Sequence, residues 1–214
     1  MADPALPRSD AAPCPALARR ASAVRSAWRR ACVLLLLTAA AAAPSPAPAL
    51  AASASDQKVG ALEAALLHAP DADHADILQA KLADARMAAL SPTTRLLVRR
   101  AQRELDTNQG QDAFADASDA IALEPDRAVL WRERASIEGA MGDADAAVRD
   151  LGGALSRDPA DLESWAGLAA VAEKTGRYDR AVEAWQHVLL LAPAYRNGVA
   201  RLHALQRKAR GEPT

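Results

Sequence analysis

A strict period of 34 residues runs through the second half of this chain. Pro125, Pro159 and Pro193 are spaced by 34 residues each time, and Trp131 and Trp165 keep the same step. Small residues recur with that spacing in three further columns, which are Ala101, Ala135 and Ala169; Ala113, Ala147 and Ala181; and Ala120, Ala154 and Val188. Columns that stay in register without an insertion indicate a repeated supersecondary unit, as in a solenoid or an array.

Each repeat is predicted to be two helices joined by a turn, in units 94–127, 128–161 and 162–195. In the third unit Gly176 provides a helix stop, Asp179 a helix start and Pro193 a final break. Aromatic residues make up only 3% of the chain, and sheets prefer aromatic and β-branched residues. We therefore expect an all-α fold, an α-solenoid of antiparallel helix pairs in which alanines permit close approach and tryptophans fill the space between pairs.

The third unit carries the fullest set of recurring residues: Trp165, Leu168, Ala169, Tyr178, Ala181, Trp185, Val188 and Pro193. In this pattern the chain resembles the tetratricopeptide repeat (TPR) family over residues 94–195, and it is similar to small exported TPR proteins of alphaproteobacteria. The resemblance implies stacked helix pairs and a protein-binding role. It does not identify the partner, because a fold does not specify a function.

Two charged columns interrupt the apolar pattern. Arg100 and Arg134 stand where the third unit has Leu168, and sixteen residues later Asp116 and Asp150 stand where it has Ala184. Since the charges appear and disappear together, we expect Arg100 to pair with Asp116 and Arg134 with Asp150 between the helices of each unit. A buried arginine needs such a partner. The alternative is that both are solvated surface charges.

The flanks of the repeats are predicted to be helical as well. Residues 55–93 form two amphipathic stretches outside the 34-residue register, which indicates an N-terminal helical pair rather than a fourth repeat. Residues 196–214 are predicted to be a capping helix and tail, with Val199, Leu202 and Leu205 on one face. A cap is needed because the last repeat would otherwise expose its apolar face.

Residues 1–54 have the pattern of a secretory signal peptide with a long basic extension. Six arginines lie before an apolar run at residues 31–43. This run is shorter than the ~20 residues needed to span a bilayer. Small residues suggest cleavage after Ala51 or Ala54, and translation starting near Val24 would give a signal of ordinary length. We expect export to the bacterial periplasm. A twin-arginine signal at Arg29 and Arg30, and an uncleaved inner-membrane anchor, are the alternatives.

The sequence predicts no chemistry. Cys14 and Cys32, the two cysteines, both precede residue 54, and metalloprotease, phosphate-loop and hydrolase motifs are absent. His68 and His74 lie beside Asp71 and Asp73 around Pro70, where they fit a turn and a helix start better than a metal site. We therefore expect no catalytic residue, metal, cofactor or small-molecule substrate. An enzyme with an unrecognised site is the remaining alternative. The net charge of −1 gives no case for nucleic acid.

The resemblance places the first helix of each unit along a concave groove. The residues predicted to line it are Arg95, Val98, Arg99, Gln102, Val129, Arg132, Ser136, Glu163, Ala166 and Ala170. A basic patch would be formed by Arg95, Arg99 and Arg132, which suggests a partner segment of acidic character. The alternative is that these arginines are surface charges that only interact with solvent. The family's Lys/Asn/Arg clamp for chaperone C-termini is absent, since the matching positions are Val98, Gln102, Glu133, Glu163 and Gly167.

These observations predict a non-enzymatic adaptor or scaffold of the bacterial periplasm that binds another protein in its groove. The alternative is an assembly factor of envelope biogenesis anchored in the inner membrane by an uncleaved segment 31–43. A membrane is expected as a partner only in that second case.

Overall fold

Nine helices and no strand make up residues 53–212, the part of the chain that the computed structural model describes. The helices are α1 (Ala54–Leu67), α2 (Ala72–Ala88), α3 (Pro92–Asp106), α4 (Gly110–Leu123), α5 (Ala128–Met141), α6 (Ala144–Arg157), α7 (Leu162–Lys174), α8 (Tyr178–Leu191) and α9 (Gly198–Ala209). The expected all-α helical repeat solenoid is confirmed. The predicted signal segment, including its apolar run 31–43 and the cleavage position after Ala51, lies outside the described residues.

Three antiparallel helix pairs, α3–α4, α5–α6 and α7–α8, correspond to the three sequence repeats. The turn inside each pair contains one residue with a left-handed backbone, and these are Asn108 (φ 63°), Gly142 (φ 91°) and Gly176 (φ 72°). The three positions are 34 residues apart. Glycine and asparagine tolerate this conformation best, so these residues end the first helix of every pair within one residue of the same repeat position.

Small residues are buried at two repeated positions on the second helix of each pair. Ala113, Ala147 and Ala181 are fully buried at 0% exposure, and so are Ala120, Ala154 and Val188. A larger side chain at these positions would force the two helices apart, since a packed core has no spare volume. The small-residue columns therefore determine the spacing within each pair.

Trp131 and Trp165 form hydrogen bonds with the turns that connect the repeats. The indole N–H of Trp131 donates to the carbonyl of Pro125 at 2.9 Å, and that of Trp165 donates to the carbonyl of Pro159 at 3.0 Å. Both rings are only half-buried. The more deeply buried aromatic is Trp185, which is 7% exposed and donates to the carbonyl of Gly198 at 2.8 Å.

Ion pairs join the helices of the first two repeats at the positions where the repeat comparison places them. Arg134 contacts Asp150 through two nitrogens at 2.6 and 2.9 Å, and Arg100 contacts Asp116 in the same way. The two aspartates are buried, at 6% and 3% exposure. The alternative of two solvated charges is therefore wrong for the carboxylates, although Arg100 itself remains half-exposed because no repeat precedes it.

A glutamate accompanies each pair, and it was not singled out from the sequence. Glu104 and Glu138 occupy the same position in the first two repeats, and the third repeat has Ala172 there. The third repeat is therefore uncharged at all three positions, with Leu168, Ala172 and Ala184. Glu138 is 6% exposed and its Oε2 has no hydrogen-bond partner. Burial, together with the nearby charge of Asp150, raises the pKa of Glu138 to about 7.

Replacing Glu138 with glutamine is expected to remove part of the pH dependence of stability. Because the folded pKa lies above the ordinary value of 4.5, the contribution of Glu138 is fully present below about pH 4.5 and is lost as the pH rises through about 7. Glu138→Gln should therefore be more stable than the wild type at pH 8, by about 1–3 kcal/mol. Urea unfolding at pH 5 and pH 8 measures this difference, with Glu183→Gln, an exposed glutamate on α8, as the control. An equal pH dependence in the wild type and Glu138→Gln would contradict the expectation.

The N-terminal helical pair lies along one edge of the solenoid, across the turns that connect the repeats. Asp56 at the start of α1 contacts Arg127 between α4 and α5, at 2.8 Å. Arg196, between α8 and α9, contacts Asp73 and Asp76 of α2 at 2.5 and 2.6 Å. The apolar side of the pair joins the core of the third repeat through Leu66, Ala75 and Leu82. The pair therefore reaches the far end of the array instead of stacking only on the first repeat.

Helix α9 packs on the third repeat as the first helix of a further pair would. Leu205 is buried at 1% exposure and Leu202 packs beside it, but Val199, expected on the same covered face, is 56% exposed. Val199 lies in the tryptophan column and His203 in the Ala135/Ala169 column. His203 is larger than the alanines of that column, so a helix packed against α9 at this position could not come as close as in the three repeats.

Candidate functional site

The first helices of the three repeats, α3, α5 and α7, border two hollows. The hollow between α3 and α5 has a volume of about 210 Å³, and the one between α5 and α7 about 400 Å³. Glu133 and Ser136 of α5 line both hollows. We call the two hollows together the groove. No residue of α1 or α2 lines either of them, so the N-terminal pair leaves the groove open.

Small and apolar residues form the surface of the hollow between α5 and α7. They are Ala135 and Gly139 of α5, Leu151 of α6, and Gly167, Ala170 and Val171 of α7. A Cβ added at Gly139 would meet nothing within 4 Å, whereas one at Gly167 would meet Leu151 at 3.0 Å. There is thus free space next to Gly139 at the hollow, whereas the missing side chain at Gly167 leaves room for the side chain of Leu151.

Charged side chains lie at the two ends of this hollow. At one end Arg132 contacts Asp161 at 2.8 Å and Glu163 at 2.7 Å, with Glu133 at 4.0 Å. Burial alone would lower the pKa of Arg132, but the carboxylates of Asp161 and Glu163 outweigh it and raise that pKa. At the other end the Nζ of Lys174 donates to the carbonyl of Gly139 at 3.2 Å.

The predicted groove residues divide into three groups. Those that border a hollow as expected are Gln102, Arg132, Ser136, Glu163 and Ala170. Arg95, Arg99 and Ala166 border neither hollow; Arg99 is exposed, and Arg95 donates to the carbonyl of Leu90 at 2.9 Å.

Val98 and Val129 form the third group, in which the side chains are buried. They are 1% and 4% exposed and belong to one core cluster with Leu130 and Ile121. Val98 still borders the smaller hollow, whereas Val129 borders neither hollow and lies beside the N-terminal helical pair. Helical spacing places both near the groove, but packing between neighbouring repeats covers them.

The expected basic patch of Arg95, Arg99 and Arg132 is also not formed. Arg132 is 12% exposed on its side chain and is shared by Asp161 and Glu163. Its charge is already neutralised by acidic side chains of the chain itself. An acidic partner would therefore have to compete with contacts that are in place.

A buried charge cluster at the edge of the solenoid was missed by the sequence analysis. Arg86 of α2 is 6% exposed and contacts Glu63 of α1 at 2.7 Å, Asp158 at 2.7 Å and Asp161 at 2.9 Å. Burial and the neighbouring Asp158 raise the pKa of Glu63, and Arg86 opposes this rise. The cluster links the N-terminal pair to the turn between α6 and α7. Its residues are far apart in sequence, and the only signal was an arginine within a predicted amphipathic helix.

The structure describes no metal centre in residues 53–212, where no group of three or more His, Cys, Asp or Glu side chains is arranged to hold an ion. Asp71 is the N-cap of α2 and accepts from the backbone N–H of His74 at 2.9 Å, which is the helix-start role expected for it. In the same stretch of chain no helix has the length and apolar character needed to cross a membrane.

Comparison with known proteins agrees with this architecture. The family model described as tetratricopeptide repeat matches residues 140–209. A TPR repeat-containing protein of Rhizobium etli is 28% identical over 124 residues, which cover 58% of this chain and 61% of that protein. The matched part of the chain thus spans less than two thirds of the length of this relative.

Solved structures show the same fold at low sequence identity. The first TPR domain of Spaghetti (RPAP3), bound to an HSP90 peptide, has a TM-score of 0.53 and 16% identity, and the match covers 57% of this chain and 99% of that one. The Sgt2 TPR domain of Aspergillus fumigatus has a TM-score of 0.51 and 20% identity, covering 59% and 88%. The Yersinia enterocolitica secretion chaperone SycD, in complex with a peptide of the translocator YopD, has a TM-score of 0.50 and 16% identity, covering 57% and 97%.

The fold and the open groove define an α-solenoid of the kind that presents a concave surface. Together with the repeat pattern and the comparisons, they show that this chain carries a tetratricopeptide repeat domain.

Proposed function

We propose that this protein is a non-enzymatic adaptor that binds a segment of another protein in the groove along α3, α5 and α7. The observation that carries the proposal is the open groove itself, with two hollows of about 210 and 400 Å³ between successive first helices. Structural neighbours solved in complex with HSP90 and YopD peptides support the same class of ligand. The proposal needs no catalytic residue, cofactor, nucleic acid or small-molecule substrate.

The proposal extends to location, with the periplasm as the place of action and a cleaved signal peptide within residues 1–54. Ser53 is the N-cap of α1, and its side chain accepts from the backbone N–H of Asp56 at 3.2 Å. Cleavage after Ala51 would keep this cap, whereas cleavage after Ala54 would remove the cap and the first helical residue. The cap therefore favours the position after Ala51.

Mass spectrometry of the N-terminus of the protein purified from cells tests the location. The expected result is a mature chain that begins at Ala52. A chain that retains residues 31–43 and sediments with membranes would instead support the alternative, an assembly factor anchored in the inner membrane.

Site-specific photocrosslinking in cells tests the use of the groove. A photoreactive amino acid at Asp106, an exposed residue at the border of the hollow between α3 and α5, is expected to form adducts with a partner protein. Asp119, which is exposed on α4 and borders no hollow, provides the matched control. Adducts of equal strength at both positions, or none at Asp106, would contradict binding in the groove.

A further inference from the structure

Two glycines that border the hollow between α5 and α7 stand at positions where neighbouring repeats carry larger side chains. Gly139 lies in a column with Leu105 and Glu173, and Gly167 lies in a column with Arg99 and Glu133. Glycine is less favourable than alanine inside a helix. Contact with Leu151 accounts for Gly167, but nothing within 4 Å of a Cβ at Gly139 requires glycine there. The effect of Gly139 is to leave the hollow unfilled.

The hollow has room for a bulky apolar side chain. Its volume is about 400 Å³, nearly twice that of the hollow between α3 and α5, and its surface includes Ala135, Leu151, Ala170 and Val171. An apolar side chain that enters such a recess buries most of its surface, and interfaces commonly depend on one or two such anchors.

Negative charge is in excess at the end of the hollow near Arg132. Glu133 and Glu163 both border the hollow, and the guanidinium of Arg132 contacts both of them. The same guanidinium also contacts the fully buried Asp161. Lys174 lies at the opposite end, about 10 Å further along the helices, because seven residues separate Arg132 from Gly139 at about 1.5 Å per residue. A cationic group of a partner is therefore complementary to the Glu133 and Glu163 end, and an additional carboxylate is not.

We infer that the hollow between α5 and α7 is the anchor site for a partner segment with a bulky apolar side chain and a lysine or arginine close to it. The side chain lies over Gly139, and the cation faces Glu133 and Glu163. This inference rests on the proposed use of the groove. It replaces the expectation of an acidic partner segment, which was based on the arginines of the predicted basic patch. It commits to a peptide segment of another protein as the occupant.

Three pools of fluorescent peptides of about ten residues test the inference with the full chain. One pool has a central Phe, Leu or Trp flanked by lysine, the second has the same centre flanked by glutamate, and the third has a central alanine flanked by lysine. By fluorescence anisotropy the first pool is expected to bind at least about tenfold more tightly than the other two. Glu133→Gln combined with Glu163→Gln should abolish the preference for lysine over glutamate while keeping the preference for a bulky centre.

Gly139→Leu adds a side chain whose Cβ meets nothing within 4 Å, so it is expected to fill part of the hollow and to weaken binding of the first pool at least about tenfold. Gly152→Leu is the matched control, because Gly152 is also helical and a Cβ there also meets nothing within 4 Å. Circular dichroism should show both variants folded. Equal binding of the lysine and glutamate pools, or unchanged binding by Gly139→Leu, would overturn the inference.

The two proposals can fail separately. If a partner crosslinks at Asp106 but the peptide pools do not distinguish charge or respond to Gly139→Leu, the groove is used and the anchor site is wrong. If no pool binds and Gly139→Leu changes only the sedimentation of the chain, the occupant is a second copy, and the inference is overturned.

Discussion

Trp185→Ala is expected to lower the free energy of unfolding by about 3–5 kcal/mol, as for the removal of a large buried aromatic side chain. The ring of Trp185 is 7% exposed, packs edge-on against Tyr195 at 5.3 Å between centroids, and belongs to the core that joins the third repeat to α9 and the N-terminal pair. The substitution would also leave the carbonyl of Gly198 without its indole donor. Urea unfolding followed by circular dichroism measures the loss.

Trp165→Ala is the matched control for this prediction. Trp165 is half-buried, stacks on the exposed His187 at 3.9 Å and donates to the carbonyl of Pro159. Its loss is expected to cost less, about 1–3 kcal/mol, because less of the ring leaves a packed environment. An equal or larger loss at Trp165 would mean that fastening the turn between repeats contributes more to stability than burial in the core of the third repeat.

Arg86→Met is expected to lower the free energy of unfolding by about 2–4 kcal/mol, because it removes the buried cation that the half-buried Glu63 and Asp158 share with the buried Asp161. Glu63 and Asp158 would lose their contacts at 2.7 Å, whereas Asp161 would keep Arg132 and the hydroxyl of Ser164. Methionine preserves much of the apolar volume of the arginine stem, so the loss reports mainly on charge. Urea unfolding measures it, and hydrogen exchange should show α1 and α2 losing protection before the repeats, since arrays unfold by parts.

Two further variants separate charge from packing at Arg86. Adding Glu63→Gln to Arg86→Met should recover part of the stability, because one of the uncompensated charges is removed. Arg99→Met, on an exposed position of α3, is expected to change stability by no more than about 0.5 kcal/mol. A loss at Arg86 as small as that at Arg99 would show that the cluster does not hold the N-terminal pair to the solenoid.

The repeat architecture could be predicted from the sequence because its determinants recur at a fixed interval. The alanine columns, the prolines and the left-handed Asn108, Gly142 and Gly176 act within one unit or between neighbouring units. The pairing of Arg134 with Asp150 could also be predicted, because the third repeat lacks both charges. The same comparison includes Glu104 and Glu138, so the signal for the third charged column was present in the sequence.

Much less of the candidate site followed from the sequence. Helical periodicity placed Ser136, Glu163 and Ala170 at the groove, but it could not show that Val98 and Val129 are buried. It also could not show that Arg132 is already bound by Asp161 and Glu163. Periodicity fixes the face of a helix, whereas exposure on that face depends on what packs against it.

The sequence by itself determined the helix pairs, their number in the repeat region and the small residues that set their spacing, because these depend on contacts that are local and repeated. The tertiary structure alone decided where the N-terminal pair lies. That position gave Arg86 its carboxylate partners and left the groove open. That placement depends on single contacts between residues far apart in the chain, such as Asp73 with Arg196 and Arg86 with Asp158, for which no period exists.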